Sequence, residues 1–124
     1  MAVNRVIPIY LSNGDAGAFL QYPYLFSLMG EWIGFVTAKR EVYSVLGDFV
    51  GTLTDDPRIV RKRATSTLKV HLTPPPKPED IRPLASIPLA RMMADLGQGM
   101  IDVLMEMPER LHTLDSGEFK QDME

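Results

Sequence analysis

Short apolar runs separated by glycine-containing pairs fill the first half of the chain. Residues 25–29 and 32–36 flank the pair Gly30-Glu31. A pair with glycine in first place is typical of a type II′ turn, the two-residue connection of a β-hairpin. The pattern therefore predicts a hairpin in which Ser27 lies opposite Gly34. Equivalent hairpins are predicted around Gly47-Asp48, with Ser44 opposite Gly51, and around Asn13-Gly14, whose composition suits a type I′ turn.

These hairpins recur at a constant spacing. The segments that end in Gly17, Gly34 and Gly51 align without a gap, 17 residues apart. A constant period is the sequence signature of a repeat protein. One further period predicts a fourth hairpin, with its first strand at residues 59–63 and its second strand at residues 68–72. Four hairpins are enough to close a small eight-stranded barrel or ring that has no exposed sheet edge.

The three hairpin cores, residues 13–17, 30–34 and 47–51, resemble the bacterial four-fold β-flower domains, in which short hairpins recur about an approximate four-fold axis. The resemblance covers about half of the chain. It implies a closed or ring-like β-fold, and it implies no activity and no catalytic residues.

Both faces of each predicted hairpin are apolar. A hairpin with one face in water would alternate between apolar and polar residues, so something must cover each face. The small pairs Ser27/Gly34 and Ser44/Gly51 are interpreted as packing sockets that admit a bulky neighbour. A ligand contact at these sockets is the alternative interpretation, and it corresponds to a small ligand-binding protein.

The composition changes sharply after Leu72. We predict a β-hairpin repeat domain at residues 1–72, a proline-rich linker in polyproline II conformation at 73–85, an amphipathic helix at 86–107 and a polar tail at 108–124.

Ser86 suits the N-cap of the predicted helix, and apolar residues three and four apart form a stripe along it. Gly97 and Gly99 would each cost about 1 kcal/mol relative to alanine, which indicates a bend or a close crossing. The stripe covers the hairpins or pairs with another copy. A groove for a foreign peptide is the alternative, because methionine adapts to irregular surfaces.

Large apolar residues beside neighbouring turns would gather at one end of the ring. Such a cluster is either capped by the helix or available to a partner. The predicted interaction surface consists of the turn residues Met29, Trp32, Leu46 and Phe49 and the stripe residues Met92, Met93, Leu96, Met100 and Leu104.

Arg58, Arg61, Lys62 and Arg63 form a basic cluster. Weak contact with a nucleic-acid backbone is one hypothesis, which salt-sensitive binding would support. The alternative is a sheet edge that positive charge protects against aggregation. A net charge of −3 over the whole chain favours the second interpretation.

The remaining polar residues do not form a pattern typical of catalysis. Asp15, Glu31 and Asp48 recur near the turns, where solvated turn carboxylates are expected, whereas a catalytic pair needs two different environments. His71 and His112 lie in unrelated segments, and cysteine is absent. We therefore expect no enzyme activity, no cofactor and no metal site.

The leading hypothesis is a noncatalytic structural or protein-interaction module that self-associates. The apolar stretches are shorter than the roughly 20 residues of a membrane helix, and the N-terminal residues lack the apolar core of a signal peptide. A cytoplasmic protein without a membrane span is the expectation.

Overall fold

Eight antiparallel strands follow one another in chain order and form one curled sheet, a half-barrel, in the computed structural model, which describes residues 5–63 and 71–114. The prediction of a mainly β fold is confirmed. The strands are β1 (Ile7–Tyr10), β2 (Ala16–Gln21), β3 (Tyr24–Phe26), β4 (Trp32–Val36), β5 (Glu41–Ser44), β6 (Phe49–Leu53), β7 (Ile59–Lys62) and β8 (Met100–Asp102). A short helix α1 (Val103–Glu106) and a 3-10 turn at Pro108–Arg110 follow.

The turn between β3 and β4 shows why glycine stands where it does. The N–H of Gly30 donates to the carbonyl of Ser27 (2.9 Å), and the N–H of Ser27 donates to the carbonyl of Glu31 (2.7 Å). Gly30 has φ +88° and closes a three-residue connection in the left-handed conformation. The predicted two-residue type II′ turn is wrong, because glycine closes the turn instead of opening it. The same holds at Gly47, and at Gly14 in place of the predicted type I′ turn.

This longer connection changes the strand register. Leu25 lies opposite Gly34, and a bulge follows because Phe26 lies opposite Trp32. Ser27 has no partner on β4; its hydroxyl accepts from the N–H groups of Met29 and Glu31 and stabilises the turn. The predicted Ser27/Gly34 pair is therefore wrong. So is the Ser44/Gly51 pair within its hairpin, since Gly51 lies opposite Val42 and Ser44 stabilises its own turn.

Four strands, β1, β3, β5 and β7, each contribute one aliphatic residue at an equivalent position of the core. Ile9, Leu25 and Val42 lie opposite Ala18, Gly34 and Gly51, respectively, and Ile59 occupies β7. All four aliphatic side chains are fully buried in one cluster. Ile9 and Leu25 are 16 residues apart in the chain, whereas Leu25 and Val42, and Val42 and Ile59, are 17 apart. The gapless alignment of the first unit with the second is therefore wrong by one residue.

The predicted second strand of a fourth hairpin falls mostly on residues outside the described ranges. β7 pairs with β6 on one side and with β8 on the other, where Val60 lies opposite Asp102. Both edges of β7 are therefore paired with described strands. Leu72 lies in no strand, and Leu68 and Val70 lie outside the described residues. Within 5–63 and 71–114, no backbone ladder joins β8 to β1.

The long amphipathic helix predicted at residues 86–107 is also wrong. Residues 86–99 are not helical, Met100–Asp102 is a strand, and only Val103–Glu106 is α-helical. Gly97 and Gly99 weaken a helix. Met100–Asp102 instead pairs with one edge of β7. This tertiary pairing overrides the helical spacing of the apolar residues.

Residues 71–99, here called the belt, run past the ends of successive hairpins. The N–H of Leu72 donates to the carbonyl of Gly47 (3.0 Å), and the N–H of Ile81 donates to that of Gly30 (2.9 Å). Further along, the Tyr10 hydroxyl donates to the carbonyl of Pro88 (2.7 Å). The belt therefore passes the third, second and first hairpins in turn. The proline-rich stretch lies within it.

The sheet is covered on both faces, as the apolar pattern predicted. Every residue of β4 is buried. On one face, Leu25, Ile33 and Val50 pack with Val103 and Leu111 from the C-terminal end. On the other face, a second cluster packs against the belt; it consists of Phe19, Phe26, Trp32 and Val45, with Ile81 and Leu84 from the belt and Leu114.

Three glycines leave room for the C-terminal residues 103–111, here called the plug. A Cβ atom on Gly34 would lie 2.9 Å from Leu111 Cδ2 and 2.5 Å from the carbonyl oxygen of Tyr43. The interpretation of this glycine as a packing socket is confirmed. A Cβ atom on Gly17 would lie 3.0 Å from Leu104 Cδ1, and one on Gly51 would lie 3.3 Å from Val103 Cγ2.

We expect Gly34→Ala to lower the free energy of unfolding by about 1 to 3 kcal/mol, because the added methyl group meets backbone that cannot move away. Urea unfolding measures the effect. Gly97→Ala is the matched control: nothing lies within 4 Å of a Cβ there, so we expect no loss of stability. An equal change in the free energy of unfolding in the two variants would contradict the interpretation of Gly34 as a packing socket.

Candidate functional site

The structure separates the predicted turn residues by exposure. Met29 is 74 % exposed, and Leu46 is also exposed. Trp32 is buried, and its indole N–H donates to the carbonyl of Gly34 (2.7 Å). Phe49 is half-buried and packs edge-on against the Tyr43 ring at 5.8 Å. Of the four predicted turn residues, Met29 and Leu46 are therefore the two that are exposed to a partner.

The predicted stripe residues do not share one face. Met92 is 99 % exposed on the belt. Leu104 packs toward Gly17 as part of the plug. The half-buried residues Met93, Leu96 and Met100 line a cavity of about 280 Å³ near Arg58.

The basic cluster is divided in the same way. Arg58 is only 3 % exposed, so it is not available to a phosphate backbone. Arg63 lies on the surface with its guanidinium 3.4 Å from the Glu106 carboxylate. Arg61 is half-buried and Lys62 is exposed, both on β7. The charge available to a nucleic acid is smaller than the sequence indicates.

The buried residue Arg58 is the centre of a partly buried polar cluster. Its guanidinium donates to Asp56 Oδ2 (2.6 Å) and to the hydroxyl of Ser12 (3.0 Å). Ser12 in turn donates its hydroxyl and its N–H to Asp102 Oδ2, each at 2.7 Å. Arg58 also donates to the belt carbonyl of Ala94 (2.8 Å). One arginine thus links the first hairpin, the β6–β7 turn, β8 and the belt.

This cluster has the chemistry of a structural joint. The Ser12 hydroxyl donates to one carboxylate and accepts from a guanidinium, so both its hydrogen-bonding roles are used. Among the described residues, no buried side-chain polar atom lacks a partner. Sequence reasoning missed Ser12 and Asp102, since neither residue stands near Arg58 in the chain.

The pKa values of Asp56 and Tyr43 differ from their ordinary values. The hydrogen bond from Arg58 holds the pKa of Asp56 below its usual 3.8, against the opposing effect of burial. Burial, together with a hydrogen bond to Glu41, raises the pKa of Tyr43. Tyr43 stacks on Phe35 with ring centroids 5.4 Å apart, which suits a packing role.

The carboxylates considered for catalysis lie at separate turns. Asp15, Glu31 and Asp48 are all exposed. His71 Nε2 lies 2.6 Å from the carbonyl oxygen of Leu46, and His112 Nδ1 lies 2.9 Å from that of Thr113. In the part of the chain that the structure describes, no group of three or more metal-ligating side chains converges. Nor is any helix there long and apolar enough to span a bilayer.

A groove of about 750 Å³ lies where β1, the β6–β7 turn and the belt meet. Tyr10 joins the three parts: its N–H donates to the carbonyl of Pro57 (3.0 Å) and its hydroxyl donates to that of Pro88. Leu89, 94 % exposed, and Met92 line the groove. The apolar pattern included Met92 but missed the groove, which is formed by segments far apart in sequence.

We expect Asp56→Asn to destabilise the fold by about 1 to 3 kcal/mol near neutral pH, because a charge-assisted hydrogen bond to buried Arg58 is lost. A depressed folded-state pKa means that this stability is present above about pH 3.8 and is lost as pH falls through the folded value. The difference between wild type and variant should therefore shrink below pH 3.8 in urea unfolding.

Asp55→Asn serves as the control for this experiment. Its carboxylate is fully exposed, so we expect a small change with little pH dependence. A wild-type advantage over Asp56→Asn that stays constant down to the most acidic pH would contradict the assignment.

Comparison with known proteins agrees with this architecture. A model of the 4-fold beta flower protein family matches residues 7–98. No curated protein and no solved structure matches the chain. The match begins with β1 and ends one residue before the belt does, so β8 and the plug lie beyond it. Because the family model spans all three glycine-closed hairpins and most of the belt, the chain belongs to the 4-fold beta flower protein family.

Proposed function

We propose that the chain is a noncatalytic protein-interaction module that associates with itself. The observation that carries this proposal is the almost complete exposure of Leu89 and Met92 at the rim of a preformed groove. Large apolar side chains that lie together on a surface are typical of interaction sites. Met29 and Leu46 are further exposed apolar side chains, each at a different turn.

The positions of the polar residues support a role without catalysis. The buried charges of Arg58 and Asp102 serve to connect segments of the fold. The candidate carboxylates are solvated and lie at different turns. A general acid and base would need to converge on one substrate position. Binding through apolar surface requires no such arrangement.

We further infer that β7 and β8 take the place of a fourth hairpin. Ile59 is buried together with its counterparts from the first three hairpins. The bonds from Ser12 to Asp102 bring the turn after β1 to the end of β8. These contacts support a ring in which hydrogen bonds to the Asp102 side chain join β8 to the first hairpin. They take the place of a backbone ladder between β8 and β1.

Light scattering on the full chain over a wide dilution series tests self-association. We expect a mass of at least two chains at high concentration and a decrease toward one chain on dilution. The full chain is required, because β8 and the plug complete the sheet and its core. The mass of a single chain at every concentration would contradict the proposal.

A further inference from the structure

The groove beside β1 has features of an interface between two identical molecules. Its walls are rich in proline, which has no N–H group to leave unsatisfied when water is excluded. The bonds that Tyr10 makes to Pro57 and Pro88 hold the walls in place. A partner would therefore meet an apolar surface that is already formed, and little conformational entropy would be lost there on binding. The wall prolines are Pro8, Pro57 and Pro88.

The same surface carries both a projection and a depression. Leu89 and Met92 extend into solvent from the belt, and both also line the groove. A surface of this kind is complementary to itself. Two copies related by a two-fold axis would each place these side chains in the groove of the other, which satisfies the condition for a closed dimer.

Charges of both signs surround this apolar centre. Arg5 and Arg91 are exposed on the β1 and belt sides, and Asp55 is exposed on the β6–β7 turn. Asp55 lies 3.2 Å from Arg40, but this pair is on the surface and contributes little stability. Asp55 is therefore available for exchange to a cation of a second molecule. A partner that carries positive and negative side chains around one apolar surface matches this pattern.

We propose that this groove is the contact between two copies of the chain, with Leu89 and Met92 of each copy in the groove of the other and Arg91 facing the partner's Asp55. The inference rests on the proposed self-association and names its surface. A second copy is favoured over a foreign protein because the groove, the apolar projections and both charge signs are on one face.

Two matched double variants test the apolar part of the contact. L89D/M92D places charge in the groove, whereas M29D/L46D makes the same chemical change at the turns. We expect the first variant to raise the dimer dissociation constant by at least about a hundredfold, since charge would be buried without a partner. The second variant should leave the dissociation constant unchanged. Circular dichroism and urea unfolding establish that both variants fold.

A charge exchange tests the two-fold geometry. R91E and D55R each place like charges together at both ends of a two-fold contact, so we expect each variant alone to dissociate at least about tenfold more readily than wild type. A mixture of the two variants restores opposite charges at both ends. We therefore expect heterodimers to form in the mixture with nearly wild-type affinity, as measured by analytical ultracentrifugation with one variant fluorescently labelled.

The outcomes separate the two proposals. If wild type is a monomer at every concentration, self-association is wrong and this contact is wrong with it. If wild type is an oligomer that M29D/L46D dissociates and L89D/M92D does not, self-association stands and the groove contact is overturned. Dissociation by L89D/M92D without rescue in the mixture of R91E and D55R overturns the two-fold pairing of Arg91 with Asp55.

Discussion

Close packing of the plug against three glycines is the contact on which the rest of the structure depends. A half-barrel of short hairpins has an apolar inner face that its own side chains do not fill. Val103, Leu104 and Leu111 reach that face because Gly51, Gly17 and Gly34 carry no side chain. With the plug in place, β8 lies against β7 and the core cluster that includes Leu25, Ile33 and Val50 is complete. The family match ends just before these residues, so the chain beyond it supplies part of its own core.

The belt adds a second layer to the same arrangement. It is attached through backbone atoms at two left-handed glycines and through the side chains of Tyr10 and Arg58. The belt residues Ile81 and Leu84 pack against the second core cluster, which contains Phe26. Further along the belt, Leu89 and Met92 are exposed to solvent. The same segment thus closes the hydrophobic core and presents the proposed interaction surface. A partner bound there would contact the element that holds the hairpins together.

Much of the fold follows from the sequence, and the part that does not has definite physical causes. The hairpins and their apolar faces follow from local patterns, because turn glycines and strand residues act over a few positions. The register does not, since Gly30 and Gly47 suit the opening of a turn as well as its close. The helix prediction at residues 86–107 was wrong because an apolar period of three and four also occurs in a segment that winds around a sheet. The polar cluster of Ser12, Arg58 and Asp102 and the groove were not predictable, as each depends on long-range contacts.

The position of β8 has a consequence for the growing chain. Lys62 and Met100 are partners across the last ladder, although the belt lies between them in the chain. During synthesis, one edge of β7 therefore remains unpaired until residues 100–102 have left the ribosome. Open edges recruit other strands, and positive side chains discourage this. Arg61, Lys62 and Arg63 stand at the end of that edge. Positive charge at this position would disfavour pairing with a neighbouring nascent chain before β8 arrives.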